Sequence, residues 1–160
     1  MDAAPYLVEI ADAFAEAKLE AILIGNAGAA LHGAPVTTVD FDFFYRGSQS
    51  HADAKIRQVA VLLGASISQP FPSLSSVYRI LRQRPELQVD LTASIHGAKS
   101  FNSLRSRCTK IDLGARTILV ASLADIIKSK KEANRPNDRA VLHVLEQTLK
   151  EQARPAPDEA

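Results

Sequence analysis

The sequence predicts an α/β chain in which a short mixed sheet is flanked by helices and followed by a C-terminal pair of helices. Two observations carry this. Short runs of apolar and β-branched residues bounded by Gly or Pro alternate with longer segments whose apolar positions recur at helical spacing. From Ser122 onward the pattern becomes purely helical. With 160 residues, 46% of them apolar, the chain suits a single domain over 1–150, with 151–160 as a flexible tail.

In chain order, Leu7, Ile10, Ala11, Phe14 and Ala17 predict an amphipathic helix from about Pro5 to Lys18. Ala21–Ile24 is a short apolar run stopped by Gly25 and reads as a buried strand. The small-residue stretch from Asn26 to Leu31 predicts a helix ended by His32-Gly33, and Ala34-Pro35 marks a turn. Thr37–Tyr45 is β-branched and aromatic, alternates acid and apolar residues around Asp40 and Asp42, and is closed by Gly47-Ser48. A second amphipathic helix is expected over Ala52–Leu63, ending at Gly64, followed by a strand near Ala65–Ser68 and a Pro70/Pro72 loop.

Val77–Arg82 and Leu87–Thr92 alternate as the two arms of a hairpin turning at Arg84-Pro85. Phe101–Arg107 fits a short helix or a loop, and two short strands are expected over Lys110–Leu113 and Thr117–Val120 around Gly114. Ser122 with Asp125 three residues on resembles a capping box and starts a helix to about Asn134. Pro136 then sits in the first turn of a last helix carrying Val141, Leu142, Val144, Leu145 and Leu149.

Composition excludes several classes. The lone cysteine, Cys108, cannot form an internal disulfide, and one Cys with four scattered His makes no zinc site. No run approaches the roughly 18 apolar residues of a membrane span, and the N-terminal residues lack a basic region ahead of an apolar stretch. A cytoplasmic location without membrane contact is therefore expected. Net charge is only +1, yet Lys and Arg cluster at Arg79–Arg84, Lys99–Lys110 and Lys128–Arg139, either as solvated faces or as a basic rim around an anionic substrate.

Chemistry concentrates on Asp40 and Asp42. Residues i and i+2 of a strand share a face, so the two carboxylates project together while Phe41 and Phe43 enter the core. Like charges that close repel unless a cation neutralises them, and a hard divalent ion such as Mg²⁺ with oxygen ligands would do so. Asp90, between Val89 and Leu91 on another expected strand, would join them if the two strands lie side by side. Asp40, Asp42 and Asp90 then form a metal-binding and catalytic set suited to phosphoryl transfer. The strand running into Gly25-Asn26 and a helix start offers backbone amides to phosphate, without a dinucleotide fingerprint or a P-loop.

In this arrangement the chain resembles the DNA polymerase β-like nucleotidyltransferase superfamily, most of all the AbiEii/AbiGii-type toxins and their small bacterial relatives. Gly25, His32, Gly33, Thr38, Asp40 and Asp42 match one motif of that group, and Ser122-Leu123, Asp125, Ile127, Lys130, Ala133, Arg135 and Asp138 match a later one. Asn26 replaces a second Gly or Ser of the motif, and Val36 stands in place of an Arg. The resemblance implies a nucleotidyltransferase-like fold and transfer of a nucleotidyl group from a nucleoside triphosphate to a hydroxyl of RNA or tRNA, a protein or a small molecule. It implies Asp40, Asp42 and Asp90 as metal ligands, and Gly25, Asn26, Thr38, Lys130 and Asp138 at the nucleotide. His32 reads as structural. A partner chain, either an antitoxin or a second copy, is expected to complete the cleft. The departures at Asn26 and Val36 support a rival reading, a weak or inactive binding module of the same fold.

Overall fold

The computed structural model describes residues 3–38, 40–69, 77–98 and 100–154. Its seven strands form one mixed sheet in the order β3-β4-β5-β2-β1-β7-β6. In chain order the elements are α1 (Ala4–Ala17), β1 (Ala21–Ile24), α2 (Gly25–Leu31), β2 (Asp40–Tyr45), α3 (Gln49–Leu62), β3 (Ser66–Ser68) and β4 (Tyr78–Gln83). They continue with β5 (Glu86–Thr92), α4 (Phe101–Arg105), β6 (Thr109–Asp112), β7 (Thr117–Val120), α5 (Leu123–Ala133) and α6 (Pro136–Ala153). No helix among the described residues is long and apolar enough to cross a membrane.

Strand alternation divides the core into two layers. Phe41, Phe43 and Tyr45 of β2 join Ile80, Val89 and Leu91 in a cluster closed by Leu7, Ile10 and Phe14 of α1 and Ile56 and Val59 of α3. The rings of Phe14 and Phe43 meet edge to face at 4.8 Å. Each such large side chain, once buried, contributes about 2–3 kcal/mol by removing apolar surface from water. On the opposite face Ile22 and Phe44 pack with Ala29, Phe101, Leu123, Ile126, Ile127 and Leu145. This second layer carries α2, α4, α5 and α6, and Gly28 lets α2 approach α5 closely: a Cβ there would stand 3.0 Å from Ile126 Cδ1.

Several element edges differ from the sequence expectation for local reasons. Pairing of β2 begins at Asp40, not Thr37: Thr38 Oγ1 accepts from the Asp40 amide at 3.2 Å and donates to the Asp40 carbonyl at 2.7 Å, a side-chain turn that competes with the ladder. Helix α3 starts at Gln49 because Ser48 caps it, accepting from the His51 amide. The ambiguous stretch after Ser100 is helical through Arg105, again behind a serine cap. Helix α6 runs to Ala153, three residues into the stretch read as a tail, and residues 155–160 lie outside the described set, as do the Pro70/Pro72 loop and Lys99.

Candidate active site

β2 runs parallel to β5 and antiparallel to β1, which places the two acid-bearing strands side by side. Asp42 lies opposite Asp90, Asp90 opposite Arg79, and Ile24 opposite Asp42, so one row crosses four strands at the acids. Arg79 holds Asp90 with a two-point grip, Nε to Oδ1 at 2.9 Å and Nη2 to Oδ2 at 3.3 Å, and Gln88 Nε2 donates to Oδ2 at 3.1 Å. No described side chain donates a hydrogen bond to the Asp40 or Asp42 carboxylate, although the guanidinium of Arg79 acts on both by its charge.

The chain turns sharply at the end of β1. Gly25 has φ +66°, and a Cβ there would lie 2.7 Å from Asp42 Oδ2. A side chain at this position would therefore be strained by its backbone and would also push the carboxylate away. Asn26 follows in the first turn of α2, and its Oδ1 is buried with no hydrogen-bond partner. Beside it, His32 Nε2 lies 2.7 Å from the Ala121 carbonyl and the His32 carbonyl accepts from Gln152, which accounts for His32 as a structural tie between α2, the end of β7 and α6.

α5 and α6 supply a positive wall. Asp138 accepts from Arg135 Nε at 2.8 Å and lies 3.4 Å from Lys130 Nζ, with the Lys130 and Asp138 side chains only 11% and 8% exposed. One carboxylate serves two cations, and the other carboxylate on this wall, Asp125 of α5, is held by Arg107, so the cluster keeps one net positive charge. Burial alone would raise the Asp138 pKa, but the Arg135 hydrogen bond and the Arg135 and Lys130 charges hold it below the ordinary carboxylate value.

The sheet side carries the opposite sign. Burial, then the charges of Asp90 and Asp40, push the Asp42 carboxyl up to about 6, while Lys130 and Arg135 pull the other way. Asp40 is also raised, by burial and Asp90, against the pull of Arg79. Among the described residues no three His, Cys, Asp or Glu side chains are drawn together as a ready-made ion cage.

A cleft of about 950 Å³ is lined by all eight residues singled out from the sequence: Gly25, Asn26, Thr38, Asp40, Asp42, Asp90, Lys130 and Asp138. It also contains Arg79, His96, Ser129 and Asn137, which the sequence reading did not assign to the site. For Arg79 a signal existed. The hairpin closes on Gln83 opposite Glu86, and stepping back along one arm and forward along the other sets Arg79 against Asp90.

Three solved structures resemble this one over most of its length. The antibiotic-resistance factor ANT(2″)-Ia in solution superimposes with TM-score 0.61 at 12% identity, over 91% of this chain and 83% of its own. Its complex with adenylyl-2″-tobramycin gives TM-score 0.60 at 14% identity, with coverages of 91% and 88%. The lincomycin-bound lincosamide antibiotic adenylyltransferase LnuA gives 0.61 at 14% identity, covering 89% of this chain and 95% of its own. The chain has the nucleotidyltransferase fold. No protein-family model matches it and no curated protein matches it, so the AbiEii/AbiGii likeness rests on motif spacing alone.

Proposed function

We propose that this protein transfers a nucleotidyl group from a nucleoside triphosphate to a hydroxyl group of a small-molecule acceptor, using Mg²⁺. The observation that carries the reading is the two-signed cleft, with Asp40, Asp42 and Asp90 on its sheet wall and Lys130 and Arg135 on its helical wall. A triphosphate spanning it would set its phosphates against the cations and its reacting phosphorus at the acids.

The donor set fits a hard divalent ion. Asp40 and Asp42 offer carboxylate oxygens that no described side chain engages, and burial together with the neighbouring acids makes the Asp42 charge costly, a cost that a bound cation would offset. Mg²⁺ binds through one or two carboxylates plus substrate phosphates, which suits two open acids without a full protein cage. Asp40 and Asp42 are the residues that would hold it, with Asp90 the third acid beside them. When bound, the ion neutralises charge on the reacting phosphoryl group. Gly25 leaves room for Asp42, Asn26 lines the cleft in the first turn of α2 where it would meet the nucleotide, Thr38 fixes the backbone entering Asp40, and Asp138 holds the two cations in place.

The acceptor class follows from how cations are used. Each Arg or Lys lining the cleft is already bonded to a carboxylate: Arg79 to Asp90, and Lys130 and Arg135 to Asp138. In the basic clusters, Arg82 pairs with Glu9, Arg105 with Glu20, Arg107 with Asp125 and Lys131 with Glu146, while Arg84, Lys110, Lys128 and Arg139, which do not line the cleft, show no ion pair among the described residues. Nucleic acid draws much of its affinity from cations free to displace counterions along its phosphates. This favours a small molecule, and the antibiotics in the similar ANT(2″)-Ia and LnuA structures support the same choice. The tRNA and protein acceptors implied by the toxin resemblance, with an antitoxin or second copy as partner, form the comparison arms of the test.

The test incubates the protein with Mg²⁺ and each α-labelled triphosphate against aminoglycosides, lincosamides, tRNA and total protein. Label in a small-molecule product, lost in Asp42→Ala, is the expected result. Equal labelling by Asp42→Ala would sink the site assignment. No metal-dependent triphosphate binding in calorimetry would favour the binding-module reading.

A further inference from the structure

We propose that the protein carries a second anion site, fitted to a compact phosphate group, where the end of α1 meets the start of α3. It stands apart from the nucleotidyl-transfer reading and does not depend on it.

Strand direction sets this site away from the acids. β1 and β2 are antiparallel, with Ala21 opposite Tyr45 at one end and Ile24 opposite Asp42 at the other. Lys18–Glu20 therefore enter the sheet, and Arg46-Gly47 leave it, at the end that does not carry Asp42. Arg46 stands roughly 13 Å along the strand from Asp42, at about 3.3 Å per residue. A pocket of about 250 Å³ opens there, lined by Lys18, Glu20, Arg46, Gly47, His51 and Lys55, and it shares no lining residue with the cleft of the acids.

The pocket holds cations without partners. Glu20, the one carboxylate in its lining, is used twice: Oε2 accepts from Arg46 Nη1 at 3.0 Å and Oε1 lies 2.7 Å from Arg105 Nε. It therefore offsets neither lysine. The ammonium groups of Lys18 and Lys55 and the ring of His51 bond to nothing among the described residues. Asp53, the next acid along α3, is held by Arg57 and Tyr78, and Glu16 of α1 does not line the pocket.

The frame around these cations is fixed. The Arg46 amide donates to the Glu20 carbonyl at 2.9 Å, and its guanidinium lies 5.6 Å from the centre of the Phe101 ring. His51 and Lys55, one helical turn apart, share a face of α3. That helix of 14 residues begins at Gln49, next to Gly47, so its positive end adds to the lysines. The ligand class follows from the donors. The fork of Arg46 is already on Glu20, which removes the planar two-point grip that suits a carboxylate. Two ammonium point charges and a helix start instead suit an anion with oxygens in several directions and more than one charge, as in free phosphate or a phosphate monoester.

The experiment follows amide resonances of the full chain by NMR, in chelator, during titration with inorganic phosphate, pyrophosphate and glycerol phosphate. Wild type is compared with Lys18→Asn/Lys55→Gln and with Lys110→Gln/Lys150→Gln, which removes the same charge from exposed lysines elsewhere. Lys18 has φ +58°, a left-handed conformation that asparagine adopts readily. Melting curves check folding, and Lys55→Gln alone keeps the test if the pocket pair does not fold. The expected result is saturable shifts at Leu19 and Gly47–His51, with affinity at least about tenfold weaker in the pocket pair and within about twofold of wild type in the control pair. The tighter of phosphate and glycerol phosphate tells whether the natural ligand is the free ion or the end of a larger molecule. Shifts confined to Gly25-Asn26 and Ser129-Lys130, equal affinity in the pocket and control pairs, or no saturation with any of the three anions would overturn the second site. Each of those outcomes leaves the nucleotidyl-transfer reading as it stands.

Discussion

Gly25 and Asp42 are in contact across the strand-to-helix turn: a Cβ on Gly25 would sit 2.7 Å from Asp42 Oδ2. The backbone of Gly25 also has φ +66°, where an L side chain is strained. Gly25→Ala should therefore cost about 1 kcal/mol or more in stability. It should lower nucleotidyl transfer by at least about tenfold through displacement of the carboxylate. Urea denaturation and the labelled-triphosphate assay read the two effects separately. Wild-type transfer by a folded Gly25→Ala would show that the contact has no functional weight.

Asp42 should make the metal-free protein less stable at neutral pH than in mild acid. Its folded-state pKa of about 6 lies above the ordinary 3.8, so the folded chain holds this proton after the unfolded chain has released it. Below the unfolded value both states are protonated and the group contributes nothing. Stability then falls as pH rises through the interval, and the cost levels off above the folded value at no more than about 3 kcal/mol. Asp42→Asn should raise the melting temperature at pH 7.5 in chelator and leave it nearly unchanged at pH 3.5. A gain of the same size at both values would contradict the electrostatic origin.

Asp138→Ala should be among the most destabilising single changes outside the apolar core. It leaves Lys130, whose side chain is 11% exposed, without its counter-ion beside Arg135. Removing one member of a buried pair costs about 3–5 kcal/mol, and the lower end applies because Arg135 is largely in solvent. Adding Lys130→Met should recover part of the loss, since the stranded charge is then gone. Denaturant midpoints for the single and double variants decide this.

Thr38→Val should loosen the approach to the acids. The hydroxyl of Thr38 both accepts from the amide and donates to the carbonyl of Asp40, so its loss removes two local hydrogen bonds at the entry to β2. The expected destabilisation is about 1 kcal/mol, because water can replace part of the pairing. Thr38→Ser, which keeps the hydroxyl, should behave as wild type in the same denaturation assay.

The fold was readable where one residue's neighbours in sequence fix its surroundings. Alternation alone assigns Phe41 and Phe43 to one face and Asp40 and Asp42 to the other, and the cores follow that division. The cleft set from Gly25 to Asp138 was readable because motif order maps onto strand ends and helix starts. Arg79 was read only as one of a basic run, because its role depends on which strand lies beside which and in what register. The same holds for Arg82, which bonds Glu9, 73 positions away. Neither composition nor periodicity reports such a pairing. The start of β2 was misplaced for a different reason, a side-chain hydrogen bond that outcompetes strand propensity over Thr37 and Thr38.

Gly28, at the contact of α2 with α5, has an implication for reshaping the protein. A methyl group added there would meet Ile126 Cδ1 at 3.0 Å and the Leu23 carbonyl at 3.3 Å, so it would press α5 outward from the sheet. α5 carries Lys130 while the sheet carries Asp42, which makes an uncharged position in the interior a gauge for the width between the two walls of opposite sign. Libraries that seek larger or smaller substrates therefore have reason to vary the apolar contacts around Gly28 and Ile126, leaving every charged side chain of the cleft as it is.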